Sequence, residues 1–360
     1  MITAVGAVEV AAIEPDSPDT GVVAHYGDPM REQRLLASAV GLVDRSHRGV
    51  LTVSGEDRLD WLHNMTTQYL LGLPPMTGTE LLLLSPHGHV EHHAVLADDG
   101  ATTWLDVEAG QAGSLLEFLT RMRFLNRVEP VDASADFALL SLVGPDTDEA
   151  LITLGVGPLL LPDTVDVPGP KFATGSVPPR PTVRYSIGAL PDFGGWARRM
   201  PYGADLLVRR GTEASLVEAA GVPLAGLWAF EALRVAARRP RFGFETDHRT
   251  LPSEVGWTAA AVHLEKGCYR GQETVARVHH LGRPPRSLVL LHLDGVSSED
   301  LPPHGTPVTT VDGRQVGVVG TAVRHFELGM IAQAVLRRNV TPDTPLRVGD
   351  SAAAIDAELP

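Results

Sequence analysis

The stretch Lys266-Gly267-Cys268-Tyr269-Arg270-Gly271-Gln272-Glu273 gathers the rarest side chains of the sequence. Cys268 is the only cysteine in 360 residues, and Lys266 is one of two lysines, the other being Lys171. Glycines at 267 and 271 predict bends, because glycine accepts backbone angles closed to other residues. The run from Gln272 to Arg277 predicts a short helix with Glu273 in its first turn. A thiol beside a cation and ahead of a helix N-terminus has its proton affinity lowered, which makes the thiolate available. The plainer alternative is a small cysteine packed as an apolar side chain. Two rare residues together on a glycine-bounded loop favour a functional thiol.

Composition narrows the classes open to such a thiol. The chain is 44% hydrophobic and 21% charged, the balance of a globular protein, and its length predicts two or three domains. A net charge of −14 argues against a broad nucleic-acid surface, which needs clustered Lys and Arg. No apolar run approaches the roughly 20 residues of a membrane helix. No Lys or Arg precedes Arg31, so neither a secretory signal nor a transit peptide fits, and a cytoplasmic location is expected. One cysteine forms no internal disulfide, and a cluster held by four thiolates is beyond this chain alone.

The elements that must position the thiol follow from periodicity. Residues 1–24 read as a flexible start. Met30–Val40 reads as a helix, Gly49–Val53 as a strand, and Ser54-Gly55-Glu56-Asp57 opens a helix with Ser54 as its cap. The same strand, Gly-x-Asp turn and helix return at Phe137–Val143, Gly144-Pro145-Asp146 and Ala150–Leu154. Two copies of one unit predict two half-domains of similar build, 25–155 and 156–282, each a small sheet covered by helices. Leu81–Ser85, His89–Ala97 and Thr102–Val107 alternate like strands, and a helix follows over 113–124. Gly155 to Gly195, with Val177-Pro178-Pro179-Arg180-Pro181, reads as a long crossing loop. Asp205–Val208 is a strand, and 212–220 and 226–238 are helices. From 283 to 360 short strands around the Asp312-Gly313 turn predict a β-barrel of about 80 residues.

Lys-Gly-Cys-Tyr-Arg-Gly-Gln-Glu resembles the signature of the YgfZ-type folate-binding proteins. These are relatives of the glycine-cleavage T-protein, an aminomethyltransferase, and they act in iron–sulfur protein maturation or repair. Val53-Ser54-Gly55-Glu56-Asp57-Arg58-Leu59 with Trp61-Leu62, and Leu84-Ser85-Pro86-His87-Gly88, extend the resemblance, which runs from about Tyr26 to the C-terminus. It implies an α+β fold in which two helix-covered antiparallel-sheet half-domains and a small C-terminal β-barrel form a ring around a folate pocket. It implies tetrahydrofolate or a derivative as ligand, with iron–sulfur proteins or their assembly factors as partners. Cys268 would be the functional thiol, with Lys266, Gly267, Tyr269, Gly271, Gln272, Glu273 and Arg277 as the rest of the motif. The chain is expected to be a monomer that meets neither nucleic acid nor membrane.

Other constellations stand beside this one. His87, His89, Glu91 and His93 alternate along an extended segment, with His92 opposite. Alternating ligands lie about 7 Å apart in a row rather than around a point, so a polar strand is expected and a metal site is not. T-proteins carry an Asp pair here, one acid being essential to aminomethyl transfer. On this sequence the pair falls on Glu91 and His92, which argues against a working aminomethyltransferase and against a conventional enzyme. Asp205 matches a T-protein glutamate that holds the pterin ring, and a strand-edge acid is an equal alternative. Arg234 matches the second arginine of a T-protein helix motif, while Phe230 replaces the first. Arg234 would meet the folate tail, or pair with Glu231 as helix salt bridges more often do. Arg277, Arg283 and Arg286 cluster beside the thiol loop. Trp196, after Gly194-Gly195, would stack on a flat ring, with core packing an equal alternative. The reading is a tetrahydrofolate-binding accessory protein for iron–sulfur cluster assembly or repair. The alternative is a folate-dependent aminomethyltransferase or demethylase.

Overall fold

A computed structural model describes residues 2–160, 163–167, 171–172, 175–176, 180–298 and 300–356, those between 161 and 183 by their backbone alone. The chain forms two compact units. One comprises Met1–Leu83, His92–Phe230 and Ala259–Arg270, and the other Leu84–Glu91, Glu231–Thr258 and Gly271–Pro360.

The first unit begins with β1 (Val8–Glu9), α1 (Val10–Ile13) and β2 (Val23–His25), and β1 pairs with β2. Expected to be flexible, this start is instead anchored. The Ile2 side chain is buried, its N–H donates to Asp44 Oδ2 at 2.7 Å, and the Tyr26 hydroxyl donates to its carbonyl at 2.9 Å. Next come α2 (Pro29–Ser38), β3 (Gly41–Asp44), β4 (Gly49–Ser54), α3 (Arg58–Met65), β5 (Thr77–Leu84), β6 (Val90–Asp98), β7 (Thr102–Val107) and α4 (Ala112–Arg121). Asp28 caps α2 by accepting from the N–H groups of Met30 and Arg31, with Pro29 at the first turn. Helix α3 starts at Arg58 rather than at the predicted Ser54 cap. Asp57, its N-cap, turns its carboxylate to the Arg127 guanidinium and N–H instead.

The second half of this unit contains β8 (Glu129–Asp132), β9 (Phe137–Val143), α5 (Thr147–Thr153), β10 (Asp163–Val167), β11 (Lys171–Phe172), β12 (Gly175–Ser176), β13 (Arg180–Leu190), β14 (Gly195–Met200), β15 (Gly203–Arg209), α6 (Glu213–Ala220) and β16 (Leu224–Ala225). The predicted crossing loop over 155–195 therefore contains strands, and its Val177–Pro179 lies outside the described residues. The repeated turn is a physical repeat. Gly55 and Gly144 have φ of +110° and +129°, and a Cβ on either would fall 2.0 or 2.1 Å from a main-chain carbonyl oxygen.

The two halves do not keep separate sheets. One sheet runs β16-β3-β9-β15-β14-β13-β5-β6-β7-β4-β8, joined where β13 meets β5 through Tyr185↔Gly78 and Ser186↔Thr77. The ladders from β3 through β9, β15, β14 and β13 to β5 are antiparallel, as are those from β6 through β7 and β4 to β8. Strand β16 joins β3 in parallel. Strand alternation sorts the side chains. Leu140, Leu142, Leu206 and Val208 face α5 and α6, while Leu51, Leu81, Leu96 and Leu105 face α3 and α4. The opposite faces of both halves share a smaller apolar cluster of Val50, Ala97, Leu139, Ile187, Trp196 and Leu207. Polar residues stand beside it on those same faces.

Helix α7 (Leu227–Ala236) carries the chain onward, and α8 (Trp257–Ala261) precedes the thiol loop. In the second unit, α9 (Gln272–Leu281) leads into β17 (Arg286–Leu293), β18 (Pro307–Thr310), β19 (Gln315–His325), β20 (Gly329–Arg337), β21 (Leu346–Val348) and β22 (Ser351–Ile355). They close as β17-β20-β19-β18-β21-β22 around Leu291, Val308, Val319, Ala332 and Leu346. This is the predicted small barrel.

Candidate functional site

Each of several apolar strands carries one polar residue on the non-helical face, and these residues meet. Asp205 of β15 stands directly between Ser141 of β9 and Arg198 of β14. Asp205 Oδ1 accepts from Ser141 Oγ (2.7 Å), Tyr202 Oη (2.8 Å) and Arg45 Nη1 (3.0 Å). Its Oδ2 accepts from Arg198 Nη2 at 2.8 Å. Arg198 Nη2 also donates to Asp106 Oδ1 at 2.6 Å, and Arg48 ties Asp106 to Glu108 at 3.1 and 2.6 Å. Three guanidinium groups thus balance three carboxylates in a seam across the sheet.

Burial of such charges is costly unless they are paired this closely. Asp205 is 1% exposed and Arg198 wholly buried. Burial alone would raise the Asp205 carboxyl. Arg45 and Arg198, with the Ser141 hydrogen bond, overcome it and hold the group well below the usual carboxylate range. For Arg198, burial opposes the charge, and Asp106 and Asp205 more than offset it. Phe230 roofs one end, with the Arg45 guanidinium 4.5 Å from its ring centroid and the Tyr202 ring edge-on at 5.3 Å. Phe230 therefore supplies a ring that covers an arginine.

Trp196 does not stand on an open glycine loop. It lies inside β14, 4% exposed, with the Arg198 guanidinium 5.2 Å from its ring centroid. Arg234 lies in the second unit. Its guanidinium pairs with Glu231 at 2.9 Å and Glu245 at 3.3 Å and donates to Thr321 at 2.8 Å. That is the helix salt bridge, enlarged into a buried network.

On β6 the side chains alternate. Ala94 and Leu96 join the core under α3 and α4, and His92 shares their face, its ring 6.5 Å from that of Phe118. His93, on the other face with Glu91, places Nε2 3.0 Å from Glu80 Oε2, and the buried Tyr185 hydroxyl donates to the same carboxylate. His92 therefore faces apolar core rather than the polar seam. Burial holds its imidazole down at about 4. The unfolded histidine takes a proton near 6.5, so between those values the unfolded state binds more protons and native stability falls as pH falls. We expect up to about 3 kcal/mol to be lost from this residue on acidification. Urea titrations of the parent and His92→Gln at pH 7 and 4.5 check this, with the variant showing the smaller loss. Among the described residues, no three His, Cys, Asp or Glu side chains converge to hold a metal.

The thiol loop is built on two buried pegs. Lys266 is 4% exposed, and its ammonium donates to the main-chain carbonyls of His63, Thr66 (2.6 Å) and Gln68 (3.0 Å). These carbonyls close the C-terminal end of α3. Tyr269 is 8% exposed, with the Lys266 Nζ 5.5 Å from its ring centroid. Between the pegs, Gly267 and Cys268 are exposed. The cation expected to serve the thiol is thus committed to holding the backbone. The two glycines also differ. Gly267 has open space and no left-handed backbone, whereas Gly271 has φ of +80° and would place a Cβ 2.6 Å from the Ser85 carbonyl oxygen and 2.7 Å from Gly88 Cα. The Ser85–Gly88 turn and the start of α9 are therefore packed backbone on backbone. We expect Gly271→Ala to cost about 2–3 kcal/mol, read as a lower denaturant midpoint.

Gln272 is half-buried, and Glu273 and Arg277 are exposed on α9. Arg283 is exposed, but Arg286 is spent on Asp247 (2.7 Å) and Glu254 (2.8 Å), so the three arginines form no free cluster. Asp205 stood out in the sequence as a candidate, but its partners Arg45, Ser141, Arg198 and Tyr202, and the further seam members Arg48, Asp106 and Glu108, did not. The signal was the lone polar residue in apolar strands such as Phe-Ala-Leu-Leu-Ser-Leu-Val.

Comparison with known proteins agrees with this architecture. Residues 26–156 match the family model of the GCVT N-terminal domain. The chain is 27% identical to the chloroplastic transferase-like protein At1g60990 of Arabidopsis thaliana, over 95% of this chain and 76% of that one. It is 29% identical to an aminomethyltransferase of Symbiobacterium thermophilum, over 82% of this chain and 78% of that one. The crystal structure of the glycine cleavage system aminomethyltransferase T from Bartonella henselae superposes with a TM-score of 0.78, covering 99% of this chain and 94% of that one at 18% identity. Residues 26–156 therefore carry a GCVT N-terminal domain, and the chain has the fold of the glycine-cleavage T-protein.

Proposed function

We propose that this chain is a tetrahydrofolate-binding accessory protein that supports iron–sulfur cluster assembly or repair through the thiol of Cys268. The observation that carries the reading is the pairing of a T-protein fold with a thiol held exposed between two buried pegs. An exposed cysteine adds nothing to core packing, which supports a role for it at the surface.

The acceptor chemistry of Asp205 supports this ligand. Asp205 Oδ1 accepts from three donors and Oδ2 from one, so Oδ2 keeps room for a ring N–H donor. Tyr202, half-buried, is the most exposed member of the group around Asp205. A bound reduced folate would supply a reducing pterin and a carrier for one-carbon units. Aminomethyl transfer is the second reading. Relatives named aminomethyltransferase support it, and so does Glu91, which shares the polar face of β6. His92 turned into the core and Phe230 over Arg45 weigh against it.

Calorimetric titration with tetrahydrofolate separates both from a plain scaffold, which would give no heat. Formation of 5,10-methylenetetrahydrofolate from an aminomethyl donor separates the two folate readings. The accessory role predicts a rate equal to the protein-free control, and faster turnover would overturn it. Cys268→Ala is expected to change stability by less than about 0.5 kcal/mol, since its side chain is exposed. Thermal unfolding of the variant checks that any lost function is chemical.

A further inference from the structure

The turn after α4 shows two large apolar side chains to solvent. Phe124 is 77% exposed and Leu125 99%. The Asn126 N–H donates to the Arg123 carbonyl at 3.0 Å, so these two residues form the apex of a tight turn. Phe124 has φ of +43°, a backbone region that turns usually fill with Gly or Asn. Among the described residues only Met76 and Arg238 share a positive φ without being glycine. Met76 packs against apolar neighbours and Arg238 pairs with Asp356, so their surroundings hold them. Phe124 stands in solvent instead, and strain of this kind gathers at functional sites. The mount is rigid on both sides. Trp61 Nε1 donates to the Met122 carbonyl at 3.0 Å, Asn126 Nδ2 donates to the Arg123 carbonyl at 2.9 Å, and the Arg127 N–H donates to Asp57 at 2.8 Å. From Phe118 to Val128 the sequence holds three arginines and no acid, in a chain of net charge −14. Arg127 is spent on Glu56 and Asp57, and Arg121 lies 3.8 Å from Glu117. Arg123 is exposed and forms no salt bridge among the described residues.

We propose that the Phe124–Leu125 turn is the anchor for a partner protein, entering an apolar pocket whose acidic rim meets Arg123. The proposal rests on the accessory reading above and names the surface through which such a protein meets its partner. Aromatic and aliphatic anchors held in place before binding lose little entropy on docking, which lets a small contact carry much of an interface's affinity. The basic collar favours an acidic rim by simple attraction. A second copy of this chain fits less well. Each copy carries −14, and two tip residues cover little of the roughly 800 Å² per partner that a stable interface buries. A lipid surface also fits less well, because anionic headgroups repel such a chain and two side chains insert too few CH₂ groups to hold it.

The test separates a lost partner from a lost fold. A strain lacking the gene is complemented with the parent, with Phe124→Gly/Leu125→Ser, with Arg123→Lys and with Arg123→Glu, and aconitase activity is read at equal protein level. The parent and Arg123→Lys are expected to restore activity, and the double variant and Arg123→Glu to lose it. The purified double variant is expected to unfold at or above the parent's urea midpoint, since glycine relieves the positive φ at 124. A lower midpoint would make the turn a structural element, against the proposal. Full rescue by the double variant would overturn the anchor, and full rescue by Arg123→Glu would overturn the acidic rim. Parent protein that floats with phosphatidylglycerol–phosphatidylcholine vesicles, or sediments as a dimer that the double variant does not form, would assign the turn to lipid or to a second copy instead. A deletion strain with no defect would overturn the accessory reading, and this inference with it.

Discussion

Replacing Lys266 with methionine is expected to destabilise the first unit by about 3–5 kcal/mol, more than any change on the protein surface. The methionine keeps most of the volume but none of the donors. The carbonyls of His63, Thr66 and Gln68 lose an ammonium that supplied one N–H to each, and Lys266 is too buried for bulk water to replace it. Each acceptor left unsatisfied costs about 1–3 kcal/mol. The effect has a pH signature. Burial pushes the Lys266 ammonium down to about 7. The unfolded side chain stays protonated to about 10.4. In between, the unfolded state binds more protons, so parent stability should rise with pH from neutral upward, and Lys266→Met should lack that slope. Urea unfolding of both proteins at pH 7 and 9 measures the two effects. Equal midpoints would show that the lysine holds nothing.

Asp205→Asn is expected to be nearly as damaging. Asparagine keeps the shape but removes the charge that balances Arg45 and Arg198. Breaking a buried pair by removing one partner costs about 3–5 kcal/mol, because the other charge is left uncompensated. Replacing Asp205 and Arg198 together, as Asp205→Leu with Arg198→Met, should cost less than the sum of the single changes, since neither of these two then faces a missing partner, while Arg45 loses Asp205 in the double change as in the single one. A double-mutant cycle by denaturant unfolding reads the coupling directly. Additive losses would mean that the two side chains are held independently, against the seam described above.

Much of the architecture was legible in the sequence. The barrel follows from alternating strands and the Asp312-Gly313 turn, and the two strand–turn–helix copies follow from Gly55 and Gly144. The misses share one cause, contacts remote in sequence. The N-terminus looks featureless until Ile2 meets Asp44. Ser54 looks like a cap until Arg127 takes Asp57 and moves the helix start to Arg58. The motif Lys-Gly-Cys-Tyr was visible, but which residue does what was not. Lys266 looks like a partner for the thiol because it is two residues away, and only the fold shows its ammonium committed to the end of α3. The seam was half legible. A lone Ser, Asp or Arg in an apolar strand marks a candidate. That Ser141, Asp205 and Arg198 lie in one row depends on strand order, which local pattern does not carry.

The most direct test of the proposed role is made in cells. The gene is deleted, the activity of a cluster-dependent enzyme such as aconitase is measured, and the strain is complemented with the parent or with Cys268→Ala. The proposal predicts that activity falls on deletion, returns with the parent and does not return with the alanine variant at equal protein level. Full activity in the deletion strain, or full rescue by Cys268→Ala, would contradict it.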